Sequence, residues 1–308
     1  MSCIPGILEG LTIAFISTKL LGFTFIQGGI LGFIIAAVSP AVVVPQMINL
    51  IDNKIGTNKG IPTLILAGAS IDDVFAITIL TSFLALYSGK NINIASQLLQ
   101  IPLSIILGIG LGLILGLVII YLFKKCNINV IKKILIILSF SILLTALETL
   151  FKDKILIASL LGVMTIGFIL TDKIPKVALP ISQGLDKLWI FAEILLFVLV
   201  GAQVNISVAF TSGIIGIVII FIGLIGRSIG VIISLIGTNL NVKERVFCVI
   251  SYVPKATVQA AMGALPLSLG VTSGDLILAI SVLSILITAP IGAISIKVSS
   301  KSLLQVQN

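Results

Sequence analysis

Two adjacent aspartates, Asp72 and Asp73, stand in GASIDDVFAIT (68–78), inside an apolar run that extends from Ile61 to Tyr87. Read as a helix, that run places the pair about 16 Å from its start at roughly 1.5 Å per residue. Carboxylates so far from an interface are costly in hydrocarbon and are kept for binding or for pairing. Held close together they repel, which raises the affinity of the site for a proton or a small cation. Protons and sodium then compete for the same oxygens. If a carrier crosses only with the site filled by one or the other, a gradient of one ion drives the other. Helical neighbours point about 100° apart, so Asp72 and Asp73 should have different partners.

Other charges also lie away from any loop: Glu9, Glu193, Arg227 and Lys255, with Glu148 close enough to a segment end to reach the interface. Hydroxyls at Ser39, Ser70 and Thr257 add hard oxygen ligands of the kind that suit Na⁺ or Li⁺. A purely structural Asp pair bonded to Arg227 or Lys255 is the competing reading, but it leaves the interrupted helices near the pair unexplained.

These residues need elements to carry them. Of 308 residues, 58% are hydrophobic and 10% charged, with mean hydropathy +1.29, a balance that soluble domains of this length do not reach. The apolar segments lack the alternation of a membrane barrel, so the chain reads as an all-α polytopic membrane protein. Ten spans are expected, near 4–21, 27–51, 61–88, 96–123, 132–150, 154–171, 187–204, 213–237, 244–267 and 275–297. Alternation puts thirteen Lys and Arg residues in the loops on the side of the termini and four on the other. That bias predicts cytoplasmic termini. The first twenty residues lack a basic start and a small-residue cleavage site, so they read as a span rather than a signal peptide. The net charge of +8 sits in short loops rather than on one face, which argues against nucleic acid. Three scattered cysteines and no histidine argue against a disulfide framework or a zinc site.

Two spans carry interruptions. AAVSPAVVVP (36–45) contains Pro40 and Pro45, and SYVPKATVQAA (251–261) contains Pro254. Each proline removes a backbone donor and crowds the preceding turn, so breaks are expected at Ser39–Pro40, at Pro45, and around Pro254 to Thr257. The two spans are seven crossings apart and therefore oppositely oriented. Paired discontinuous helices in an inverted repeat point to a transport site near the midplane.

Four strings, SPAVVVPQM (39–47), KGIPTLILAGASIDDVFAIT (59–78), YVPKATVQAAMGALPL (252–267) and SVLSILITAPIG (281–292), resemble the NHA-type sodium/proton antiporters of the cation:proton antiporter superfamily. The resemblance implies an NhaA-like inverted-repeat fold with two crossed discontinuous helices, in one transmembrane domain covering 1–308. Its core would hold spans 4–123 and 213–297, and 132–204 would lie on the interface side. It implies that Asp73 is the principal ligand of Na⁺ and H⁺, and that Asp72 faces a basic residue on span 213–237. That residue is Arg227, where electrogenic relatives have lysine. Arginine keeps its proton, so proton exchange falls to carboxylates, and Glu9 is the expected partner of Arg227. Lys255 would be a supporting charge at the second break.

The expected activity is therefore exchange of Na⁺ or Li⁺ for H⁺, electroneutral and by an elevator-like core movement, with no enzyme chemistry and no cofactor beyond the transported ions. The expected setting is a bacterial cell membrane. A K⁺/H⁺ antiporter or a sodium-coupled carrier of the same fold remains open. The first repeat is three helices short of six, so a homodimer is expected where those helices are supplied. A non-transporting fragment or accessory membrane subunit is the alternative from another class.

Overall fold

The computed structural model describes residues 3–89, 94–126, 128–151, 157–202 and 206–306, and every long element among them is a helix. The helices are α1 (Cys3–Leu20), α2 (Phe25–Ile35), α3 (Pro40–Asp52), α4 (Ile61–Tyr87), α5 (Ile94–Lys125), α6 (Val130–Phe151) and α7 (Ser159–Lys173). There follow α8 (Pro175–Ala202), α9 (Ile206–Ser234), α10 (Val242–Ser251), α11 (Thr257–Gly263), α12 (Leu265–Ser268) and α13 (Gly274–Leu303). Among the described residues, the expected apolar segments fall on helices or on interrupted series of helices. Seven helical stretches among the described residues are long and apolar enough to cross a membrane. One segment begins much earlier than hydropathy indicates, since α8 starts at Pro175 rather than near 187. Its first turns, PKVALPISQGLDK, are too polar to register as a span but continue the helix.

Residue order explains where the two broken helices begin and stop. Thr24 caps α2 through a reciprocal capping box with Gln27, and Asn241 caps α10 in the same way with Glu244. Helix α2 stops at Ile35, residues 36–39 are not helical, and α3 begins with Pro40 at its N-terminus. Proline is harmless there because the first N–H groups of a helix lack intrahelical acceptors in any case. The residue before a proline is pushed into extended conformation, and Ser39 has φ −81° and ψ 110°. Pro45 corrects the sequence expectation. It lies inside α3, which runs through it without a break, so only the N-terminal proline of the pair marks the interruption. In the second broken helix, α10 ends at Ser251, residues 253–256 around Pro254 are not helical, and α11 starts at Thr257.

Side-chain contacts give the directions of both. Tyr87, at the end of α4, shares Thr272 with Gln27 at the start of α2. At the other end of α4, Lys59 pairs with Glu244 at the start of α10, 2.8 Å away. The two broken helices therefore enter from opposite ends of α4. Their interruptions meet, with the Ser39 N–H donating to the Pro254 carbonyl at 2.9 Å.

The chain divides into two compact units, Met1–Ile92 with Leu196–Asn308, and Asn93–Leu195. Helix α5 belongs to the second. In the second unit α5, α6, α7 and part of α8 share an apolar core around Ile137, Leu144 and Ile166. In the first, α1 packs directly against the backbones of α2 and α9. A Cβ added at Gly32 would lie 2.2 Å from the Gly10 carbonyl oxygen, one at Gly28 would lie 2.5 Å from that of Ala14, and one at Gly230 would lie 2.5 Å from Pro5 Cα. These contacts draw Glu9 and Arg227 within reach of each other. At the far end of the same unit the chain after α13 returns to the turn after α3, where Ile55 and Val306 form an antiparallel bridge.

The glycine seam predicts a steep response to one methyl group. Gly32→Ala or Gly28→Ala should cost at least the ~1–3 kcal/mol of an overpacked core, read as a lower thermal midpoint of the purified protein in detergent. Gly110→Ala, which meets nothing within 4 Å, should leave the midpoint in place.

Candidate ion-binding site

Four buried charged side chains form one connected cluster in the first unit. From α4, Asp72 Oδ2 accepts hydrogen bonds from the Val38 N–H at 3.0 Å and from Arg227 Nη2 at 2.8 Å. From α1, Glu9 Oε2 accepts from Arg227 Nε and from Lys255 Nζ, the latter at 2.7 Å. Arg227, on α9, also donates through Nη2 to the Ala36 carbonyl, and its guanidinium carbon lies 5.5 Å from the centre of the Tyr252 ring. Lys255 belongs to the second interruption, where its backbone N–H is held by Thr288 Oγ1 at 2.9 Å. It is wholly buried and does not reach water from the break.

The groups that the sequence singles out are thus largely brought together. Glu9, Asp72, Arg227 and Lys255 touch directly, and Asp73 follows Asp72 on α4 with 7% exposure. The two aspartates do have different surroundings, because Asp72 Oδ2 is bonded twice whereas Asp73 Oδ1 is buried without a hydrogen bond. Ser39 lies at the first break with its Oγ buried and also without one. Pro40 and Pro254 flank the crossing, and Thr257 opens α11 with no hydrogen bond to the charged groups among the described residues. Pro45 stands away from the break, inside α3. The side chains of Ser70 and Glu193 lie outside the described residues.

Counted by residue type, Glu9 and Asp72 match Arg227 and Lys255 in number, and Asp73 is a fifth buried ionisable side chain. Four hard oxygens of these residues, Glu9 Oε1, Asp72 Oδ1, Asp73 Oδ1 and Ser39 Oγ, are buried without a hydrogen-bond partner. Carboxylate and hydroxyl oxygens are hard ligands of the kind that suit a proton or a small alkali cation.

The chain matches the family profile described as "Sodium/hydrogen exchanger, transmembrane" over residues 2–301. It belongs to the sodium/hydrogen exchanger family. The mouse protein named sodium/hydrogen exchanger 9B2 is 32% identical over 322 residues, covering 98% of this chain and 56% of that protein. Human sodium/hydrogen exchanger 9B1 is 30% identical over 305 residues, covering 94% and 58%. The chain thus spans a little over half the length of these relatives. The solved sodium proton antiporter MjNhaP1 from Methanocaldococcus jannaschii superposes with a TM-score of 0.79 at 19% identity, covering 97% of this chain and 77% of that one. That likeness establishes the antiporter fold expected from the motifs. The chain is that of an integral membrane protein.

Sequence reasoning missed the groups that bind the broken backbone. Gln259 Nε2 lies 3.0, 3.2 and 2.8 Å from the carbonyl oxygens of Ile34, Ile35 and Ala37. It is the single amide in TVQAAMG, an apolar half-helix, and that isolation was the available signal. Tyr252 carried no comparable signal, and main-chain partners such as Val38 and Ala36 have no side-chain signature at all.

Because the cluster is balanced, removing one member should hurt more than removing a pair. Glu9→Gln should destabilise the protein by about 3–5 kcal/mol, leaving two buried cations short of an anion. Glu9→Gln combined with Lys255→Met should recover part of that loss. A double-mutant cycle on thermal midpoints in detergent reads the difference, and additive losses would contradict the coupling.

Proposed function

We propose that this exchanger carries out secondary antiport, taking up one Na⁺ (or Li⁺) or one H⁺ at Asp73 in alternation. The reading rests on one observation above all. Asp73 is a further buried acid next in sequence to Asp72, which belongs to a group of two acids and two bases that ties both broken helices together. A sodium ion or a proton on Asp73 would each cancel its charge, so the same carboxylate would accept either in turn. Such a site is indifferent to which monovalent cation fills it except through size and ligand hardness. Asp72 would act as a neighbour that sets the local field, because its Oδ2 is engaged by Arg227 and Val38.

The proposed stoichiometry is one for one. Arg227 does not release a proton under any physiological condition, and its contact with Glu9 and Asp72 keeps it paired. With the cluster fixed, each half-cycle moves the same charge, and exchange is electroneutral. The cytoplasmic placement of both termini belongs to the same proposal, supported by thirteen loop cations against four. So do residence in a bacterial cell membrane and a homodimeric assembly; the exchangers named above come from mouse and human.

Asp73→Asn should abolish Na⁺-dependent proton movement in proteoliposomes while the protein still inserts and purifies as the wild type does. Asp72→Asn should weaken exchange without eliminating it. Wild-type rates in the Asp73 variant would overturn the assignment, and replacing Na⁺ by K⁺ in the same assay reads selectivity.

Imposing a membrane potential on proteoliposomes with no pH gradient tests the stoichiometry. The equilibrium distribution of Na⁺ should not respond to the sign of the voltage. A sign-dependent shift would show net charge movement, and Arg227→Lys would then be the substitution to compare.

A further inference from the structure

The first interruption leaves main-chain groups at the end of α2 and the start of α3 outside any helical ladder, and their partners are specific. Ile34, Ile35 and Ala37 present carbonyls to Gln259, Ala36 presents its carbonyl to Arg227, and the N–H groups of Val38 and Ser39 go to Asp72 and Pro254. Within that set one peptide unit stands out. The carbonyl of Ala37 and the N–H of Val38 belong to the same planar amide, and in a trans amide they point in opposite directions. One edge receives Gln259 Nε2 at 2.8 Å, and the other donates to Asp72 Oδ2 at 3.0 Å.

We propose that Gln259 is a positioning residue for Asp72, holding the Ala37 carbonyl so that the Val38 N–H across the same peptide is aimed at the Asp72 carboxylate. A rigid plane gripped at one edge has little freedom at the other. Residues 36–39 lie outside any helix, so no intrahelical ladder fixes that plane. Gln259 itself is fully buried, and its amide bridges the second broken helix to the first. A primary amide suits the task because it presents two protons to three carbonyls without adding a charge to the balanced cluster. A lysine there would satisfy the carbonyls and upset the balance, whereas a carboxylate would face them with a second set of acceptors. The orientation of the peptide decides how much of the Asp72 charge is met by main chain. Through Asp72 it decides how firmly the adjoining site holds a cation; that last step rests on the transport reading above.

The test uses full-length chain carrying Gln259→Met, which has similar length and no donor, and Gln259→Asn, which withdraws the amide by one methylene. Hydrogen–deuterium exchange of overlapping fragments covering 33–43, in detergent and without sodium, reads the Val38 amide directly. Exchange there should accelerate about tenfold in Gln259→Met and by less in Gln259→Asn, in line with the loss of one hydrogen bond to a charged group. In proteoliposomes the Na⁺ concentration for half-maximal exchange should rise several-fold, with the maximal rate per folded protein within about twofold. Unchanged Val38 protection in the variants would overturn the proposal whatever transport does. Lost protection with an unchanged sodium dependence would overturn the link to the ion. If Gln259→Met does not fold, Gln259→Asn carries both readouts. If the wild type itself moves no sodium, the transport reading fails, and hydrogen exchange alone still decides whether Gln259 aims the peptide.

Discussion

Ionic side chains inside a membrane-spanning unit must find their counter-charges and hydrogen bonds within the protein, because hydrocarbon supplies neither. Here two acids and two bases from α1, α4, α9 and the second interruption meet, all of them buried. Much else in the first unit follows from accommodating them. The helices that carry Glu9 and Arg227 come together through glycines, since larger residues would hold the two side chains apart. The helix that carries Asp72 presents it to a stretch of chain that is not helical, where a main-chain N–H is free to meet it. The base on α9 in turn reaches a carbonyl that a continuous helix would have consumed internally.

The interruptions are therefore part of the electrostatics and not only a way of opening space. A helix end normally leaves carbonyls without partners, and in water those are solvated. At Ile34 to Ala37 they are met by an amide and a guanidinium from other helices. The break is thus a place where charged side chains and main chain share partners, so a change at either is felt by the other. The touching of the two breaks, Ser39 to Pro254, joins both halves of the arrangement into one object.

Much of this was legible in the sequence because the relevant signals are expensive. A charge or a proline in an apolar segment stands out, and Asp72, Asp73, Arg227, Glu9, Lys255, Pro40 and Pro254 all announced themselves in that way. Pro45 shows where the signal misleads: a proline costs one hydrogen bond and some crowding, which α3 absorbs, so position in the helix and not residue type decides whether the chain opens. The start of α8 was missed for the opposite reason, since helix formation does not require the apolarity that marks a span. Gln259 was passed over because an uncharged amide in a span is only mildly unusual. What makes it matter is three carbonyls on a different helix, and their convergence is a property of the folded chain.

The glycine contacts of α1 with α2 and α9 bear on how the protein meets lipid. Membranes differ in thickness, and helices answer a mismatch by tilting or by shifting against their neighbours. Three helices in main-chain contact have little room to slide past one another, because the stops at Gly28, Gly32 and Gly230 are backbone atoms and not side chains that can change rotamer. A thinner or thicker bilayer would tilt this trio together. The spacing between Glu9 and Arg227 would then be insulated from the composition of the surrounding lipid, and elements outside the trio would take up the adjustment.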